Sequence, residues 1–167
     1  MKKTSYGTMS DGTSVAAFQL ANRTGMRVRI IEYGATTTDV WVPDRDGDLR
    51  NVVLGYSSLE EYRAGRMWFG ATAGRVAGRI TGAAFTLNGT TYALEANDPP
   101  NCLHGGTNAL DSRVWAGTDV ESADGECVEF RTTSTDGENG FPGNLTVTAR
   151  FTLLADENTL RMEYQAT

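Results

Sequence analysis

The chain has one histidine, two cysteines and four prolines in 167 residues. Each scarcity removes a class of function. One imidazole and two thiols without C-x-x-C spacing do not make a zinc site. Cys102 and Cys127 are likewise too few for a disulfide framework, so inert packing is the expected role of both. No stretch approaches the roughly 20 apolar residues needed to span a bilayer. The opening "MKKTSYGTMSDGTSVAAFQL" carries basic residues but no continuous apolar segment of the secretory kind. No membrane partner is expected, and the expected location is cytoplasmic. Cationic clusters are also missing. With a formal charge of −6 and no grouping of Lys and Arg, the chain has no evident means of holding a phosphate backbone, so no nucleic-acid partner is expected. Sequons at Asn22, Asn88 and Asn144 have no secretory signal to give them weight and read as turn and strand residues.

Glycine and alternation are what is plentiful. Nineteen glycines against four prolines indicate many tight turns, and turn-rich chains of this size are usually β. Period-two patterning confirms the direction: in "MRVRIIEYGA" (26–35), Met26, Val28 and Ile30 alternate with Arg27 and Arg29. The same pattern predicts strands at "VAAFQLA" (15–21), "TTTDVWVPD" (36–44), "VWAGTDVE", "ECVEFRTTS", "NLTVTARFTLL" and "TLRMEYQA". In "AFTLNGTTYAL" (84–94), Asn88-Gly89 supplies the positive φ angles of a type I′ turn and predicts a hairpin. Only "SSLEEYRAG" (57–65) reads as helix, with Ser57 or Ser58 as N-cap and Glu60 and Glu61 in the first turn. No repeat or linker divides the chain, so residues 1–167 are read as a single domain. The strand pattern of Leu160, Met162 and Tyr164 is still running when the sequence stops at Thr167, which reads as a domain incomplete at its C-terminus.

Four stretches carry chemistry of interest: "GRVAGRI" (74–80), "NCLHGG" (101–106), "ALDSRVW" (109–115) and "DGENGFPG" (136–143). Taken with "YGAT" (33–36) and "NVVLGY" (51–56), their order and spacing resemble the N-terminal part of the galactose mutarotase, or aldose 1-epimerase, family. The resemblance implies an all-β fold, the first portion of a large antiparallel β-sandwich of the mutarotase supersandwich type with one short helix. It also implies an enzyme that interconverts the α and β anomers of a free hexose such as galactose or glucose, without cofactor or metal. A carboxylate takes the C1 hydroxyl proton while a histidine protonates the ring oxygen, which is general acid and base catalysis.

By the same resemblance, Arg79 and His104 line the sugar pocket, with Gly78 beside the arginine and Gly105 and Gly106 making room for the ring. Read without it, His104 is a turn histidine bonded to backbone, Arg79 an ordinary salt-bridged strand arginine, and Arg75 an equally available guanidinium. Gly78 stands where the family often has Asn, and Ala109-Leu110-Asp111 where it commonly has Gly-Phe-Asp. Asp136 and Glu138 read as a solvated turn rather than a catalytic carboxylate pair, with Phe141 plugging a core. Trp41 and Trp115 read as core, and Trp68, in "RMWFGATAG", as lying near a pocket.

The family's catalytic acid and base are expected beyond Thr167, so no catalytic residue is assigned here and the chain alone is expected to be inactive or nearly so. Two other functions fit the same residues: a non-catalytic carbohydrate-binding module, or an assembly module that pairs through exposed strand edges with another copy or with a missing C-terminal half. A hexose-6-phosphate epimerase would need a cationic cluster that the sequence does not display.

Overall fold

The computed structural model describes every residue except Arg66, the first residue of "RMWFGATAG". Two antiparallel meanders make the body of the protein. One sheet is built in chain order from β1 (Lys2–Thr8), β2 (Ser14–Ala21), β3 (Arg27–Ile31), β4 (Thr36–Pro43) and β5 (Leu49–Asn51). Between the two meanders lie a helix α1 (Leu59–Ala64), a two-residue ribbon of β6 (Arg79–Ile80) with β9 (Cys102–Leu103), and a hairpin of β7 (Ala84–Leu87) with β8 (Thr90–Ala93). The second sheet follows in chain order as β10 (Ala116–Val120), β11 (Gly125–Ser134), β12 (Leu145–Leu154) and β13 (Leu160–Ala166). The all-β, antiparallel sandwich with one short helix is therefore the observed architecture.

The alternation works as read. Met26, Val28 and Ile30 are buried while Arg27 is exposed. Their face packs with Phe18 and Leu20 against Val128, Phe130, Ala149, Phe151 and Leu153 of the second sheet, with Trp115 in the same core. Phe18 meets Phe130 edge to face at 5.4 Å, and Phe130 meets Phe151 at 5.8 Å, the arrangement that aromatic quadrupoles favour. Antiparallel sheets commonly leave their second face to solvent. Here α1 covers part of it, setting Leu59 and Tyr62 on Val15, Ala17 and Ile31. Ser58 is the N-cap, its hydroxyl accepting from the Glu61 N–H, while the Glu61 carboxylate accepts from the Ser57 N–H at 2.7 Å.

The Asn88-Gly89 hairpin forms as expected, with φ of 51° and 80° at the two turn residues. Several strands escape the pattern. β1, "KKTSYGT", is an edge strand with no fully buried side chain, so it leaves no apolar alternation to read. β6 and β9 are two residues each and have no period at all. In β4 the expected half-buried alternation fails at its start: Thr36, Thr37 and Thr38 are all buried. The segment after Trp68 lies over them, with the Thr37 N–H donating to the Gly70 carbonyl at 2.9 Å. Trp41 is not core but 40% exposed, whereas Trp115 is buried with its indole N–H donating to the Leu110 carbonyl at 2.8 Å. Cys102 and Cys127 are both buried and free. Among the described residues no helix is long and apolar enough to cross a membrane.

Candidate sugar site

The ribbon of β6 and β9 is what gives the histidine its place. Arg79 pairs with Leu103 and Ile80 with Cys102, which seats His104 beside Gly78. Residues 103–106 then turn back on themselves, with the Gly106 N–H donating to the Leu103 carbonyl at 3.1 Å. His104 and Gly105 at the centre of that turn have φ of 51° and 92°, the left-handed pair of a type I′ turn. Histidine tolerates the first position better than most residues, and glycine suits the second. The Asn97 side chain braces the far side of β9, accepting from the Leu103 N–H at 2.7 Å and donating to its carbonyl at 2.9 Å.

Two hydrogen bonds lock His104 to Gly78. The His104 N–H donates to the Gly78 carbonyl at 2.9 Å, and the Gly78 N–H donates to the imidazole Nδ1 at 3.1 Å. A ring nitrogen that accepts cannot carry the proton, so the neutral imidazole holds its hydrogen on Nε2, leaving that nitrogen as a donor. Gly78 thus takes part through its backbone.

The room around the glycines is filled by protein. A Cβ on Gly105 would collide with the Gly74 carbonyl, and one on Gly106 with the Asn139 side chain, whose Nδ2 donates to the Gly105 carbonyl at 2.8 Å. The bareness of "HGG" lets its turn press against the backbone at 74–75 and against the 136–143 loop. The Cβ directions of both glycines are thus taken up by protein.

Arg79, the arginine the resemblance puts in the sugar pocket, and Arg75 have separate fates. Arg75 Nε donates to Ser134 Oγ at 2.9 Å, Nη1 to the Pro142 carbonyl at 2.8 Å, and Nη2 to the Ser134, Thr135 and Gly143 carbonyls at 3.0, 2.9 and 2.8 Å. All its donor groups are spent on the loop containing "DGENGFPG". Arg79 is committed only through Nε, which donates to Asp98 Oδ2 at 2.6 Å, and its side chain is 58% exposed. Asp98 is presented by a turn closed by reciprocal Asp98 and Asn101 backbone bonds of 3.1 and 2.8 Å. Neither Nη of Arg79 makes a hydrogen bond among the described residues. Asp98 and Asn97, which brace Arg79 and the strand leading to His104, carry no sequence signal because each sits in a turn without periodicity.

The loop's carboxylates are structural. Asp136 accepts from the Gly143 N–H at 2.5 Å, and Glu138 pairs with Arg113 at 2.8 Å while taking the Ser134 hydroxyl. Burial is the largest single influence on the Glu138 carboxyl and would raise its pKa, but the hydrogen bonds from Ser134 and Arg113 and the charges of Arg113 and Arg75 together outweigh it and hold the group below the ordinary carboxylate range. Phe141 is buried against Ala83, Leu94 and Cys102, as a core plug should be.

Trp68 packs on His104 with ring centroids 4.9 Å apart and planes at 53°. It also forms a wall of a cleft of about 100 Å³ that includes Tyr33, Thr36, Tyr56, Tyr62 and Asp111. A wider cleft of about 800 Å³ lies on the open face of the first sheet, lined by Gln19, Arg27, Arg29, Trp41 and Glu126. It contains neither Arg79 nor His104, and its charges are largely paired, as with Arg29 and Asp39 at 2.5 Å.

The aldose 1-epimerase family model matches residues 16–167. Galactose mutarotase of Sus scrofa is 40% identical over 162 residues, covering 96% of this chain and 45% of its own length. Aldose 1-epimerase of Escherichia coli (strain K12) is 36% identical over 157 residues, covering 94% of this chain and 44% of its own length. Among solved structures, galactose 1-epimerase from Lactobacillus acidophilus NCFM superposes with a TM-score of 0.86 at 31% identity, over 100% of this chain and 48% of that one. An aldose epimerase homologue from C. elegans gives 0.84 at 29% identity, over 92% and 46%. The chain thus spans a little under half the length of the curated relatives it matches. It is a member of the aldose 1-epimerase family.

Proposed function

We propose that this chain carries the sugar-orienting part of an aldose 1-epimerase site, in which Arg79 and His104 hydrogen-bond a free hexose. The observation that carries the reading is the Gly78 N–H on His104 Nδ1, because it leaves Nε2–H as a fixed donor, while Arg79, next in the chain to Gly78, keeps two amino groups without a hydrogen bond among the described residues. Opening a hemiacetal shifts charge between O1 and O5. Donors already aimed at those oxygens stabilise that charge without having to reorganise. Gly78 and Gly105 act with them, the first by fixing the imidazole and the second by fixing its turn.

A histidine in this tautomer donates and does not abstract. Proton removal and delivery at two different oxygens therefore call for groups other than His104, and none is assigned to this chain. The expected behaviour is sugar binding with little or no anomerisation. Freshly dissolved α-galactose or α-glucose followed by polarimetry, alongside titration of galactose into isotopically labelled protein, tests both halves of the statement. Binding that moves the His104 ring signals and is lost in Arg79→Ala and His104→Ala is the expected result. Rapid anomerisation by these 167 residues alone would overturn the division of labour. Absence of any hexose binding would overturn the sugar site.

A further inference from the structure

We propose that β13 is a self-complementary edge through which two copies of this chain join, antiparallel and about a two-fold axis at Met162. The contact involves no residue of the sugar site. Among the described residues β13 pairs with β12 alone, so its far side is an open sheet edge. The other edges of the two sheets are blunted. β1 carries Lys2, Lys3 and a bulge between Ser5 and Gly7, β5 is three residues long, and β10 contains Gly117 and Asp119. β13 runs for seven residues without glycine, proline or a break in register.

Its two faces differ. Leu160, Met162 and Tyr164 lie opposite Leu153, Phe151 and Ala149, so they continue the core side of the sheet. Tyr164 meets Phe151 edge to face at 6.4 Å, yet Met162 and Tyr164 are 53% and 56% exposed. The apolar side of the sheet therefore runs to its edge and stops uncovered. Arg161 and Glu163 occupy the opposite face, where the cross-strand row runs Glu129, Arg150, Glu163. Charge alternates along that row.

Backbone geometry fixes which groups are free. Thr146 and Thr167 exchange both their hydrogen bonds, at 2.8 and 3.0 Å, and the Leu154 N–H donates to the Thr159 carbonyl at 3.0 Å. Bonded pairs alternate in an antiparallel ladder, so Arg161 and Glu163 also turn their backbone groups to β12, while Leu160, Met162 and Tyr164 present theirs outward. A second β13 fits these groups with Met162 opposite its own copy and Leu160 opposite the second copy's Tyr164. Apolar then meets apolar on one face, and on the other Arg161 stands opposite Glu163 twice, which carries the charge alternation on into the second sheet. Sliding by two residues either way sets Glu163 on Glu163 or Arg161 on Arg161, and sliding by one puts Met162 opposite Glu163. Of the registers that keep the apolar faces together, the one centred on Met162 alone matches Arg161 with Glu163.

Sedimentation velocity of the full chain, over a concentration series up to about 1 mM, is expected to show a monomer–dimer equilibrium. A single strand pair is a small interface, so dissociation is expected in the micromolar range. Met162→Pro removes an outward N–H that β12 does not use, and is expected to be folded but monomeric throughout. The Trp115 indole signal, bonded to the Leu110 carbonyl, reports folding in each variant. Arg161→Glu and Glu163→Arg each set like charges opposite one another and are expected to weaken dimerisation by about tenfold. The exposed ion pairs of Arg161 with Asp124 at 2.7 Å and Glu163 at 3.3 Å contribute little to the fold, so both charge variants are expected to fold. Mixed in equal amounts, the two variants place opposite charges together again, and the dimer is expected to return. If Met162→Pro does not fold, the charge variants decide. A wild type still monomeric at about 1 mM overturns the proposal and leaves the edge to a different chain. A dimer that Arg161→Glu leaves intact, or that the mixture fails to restore, overturns the register and with it the self-complementary edge.

Discussion

Arg75 and Arg79 stand four residues apart in one short motif, and the structure gives them opposite work. Truncating Arg75 to alanine deprives Ser134 Oγ and the Ser134 and Pro142 carbonyls, all partly buried, of their donors, as well as the more exposed Thr135 and Gly143 carbonyls. Water can replace the exposed contacts. Three partly buried hydrogen bonds to a charged group, at about 1 kcal/mol each net, make the expected cost about 3 kcal/mol. In a domain of this size that lowers Tm by roughly 6–12 °C. Arg79→Ala removes one exposed ion pair to Asp98, expected to cost under about 1 kcal/mol and a few degrees at most. Hexose binding should show the reverse order: abolished in Arg79→Ala, and retained in Arg75→Ala below its melting point. Thermal unfolding by circular dichroism with a galactose titration on each variant measures both. If Arg79→Ala were as destabilising as Arg75→Ala, or if Arg75→Ala alone lost the sugar while folded, the assignment of one arginine to the scaffold and the other to the ligand would be wrong.

Other outcomes follow from the same geometry. Gly105→Ala places a side chain at φ 92° against the Gly74 carbonyl, so it is expected to cost about 2 kcal/mol or more and to displace the His104 signals; an unchanged melting curve would refute the packing role. Long-range nitrogen–proton spectra of the one imidazole are expected to show the neutral form protonated on Nε2, and a dominant Nδ1–H form would contradict the Gly78 bond. Burial raises the Asp111 pKa in the fold, so its contribution is least unfavourable when protonated, and stability is lost as pH rises through the carboxylate range. Asp111→Asn should therefore raise Tm near neutral pH, and the gain should vanish at pH low enough to protonate the wild-type carboxyl. A gain independent of pH would rule out ionisation as its cause.

How far the sequence could be read depends on the range over which each feature is decided. Strands β2, β3, β11 and β12, the helix with its Ser58 cap, and the Asn88-Gly89 hairpin are set by residues within a few positions of one another, because side-chain alternation and turn dihedrals are local properties. They were legible without coordinates. β1 was not, since an edge strand with both faces partly wet needs no apolar period. The motif resemblance reached further, to the family, but what surrounds Arg75, Gly105 and Gly106 was not legible in it.

Those matters belong to the tertiary structure. Arg75 is claimed by carbonyls as far as 68 residues away, and Arg79 by an aspartate 19 residues away, and no local pattern encodes either choice. The tautomer of His104 is decided by a backbone N–H 26 residues earlier in the chain. Asp111 acquires its raised pKa only when the fold buries it beside Trp68. Sequence determined which segments are extended and where they turn; pairing between segments distant along the chain decided which charged side chains remain uncommitted, because a hydrogen-bond donor is satisfied by whatever folding brings within about 3 Å of it.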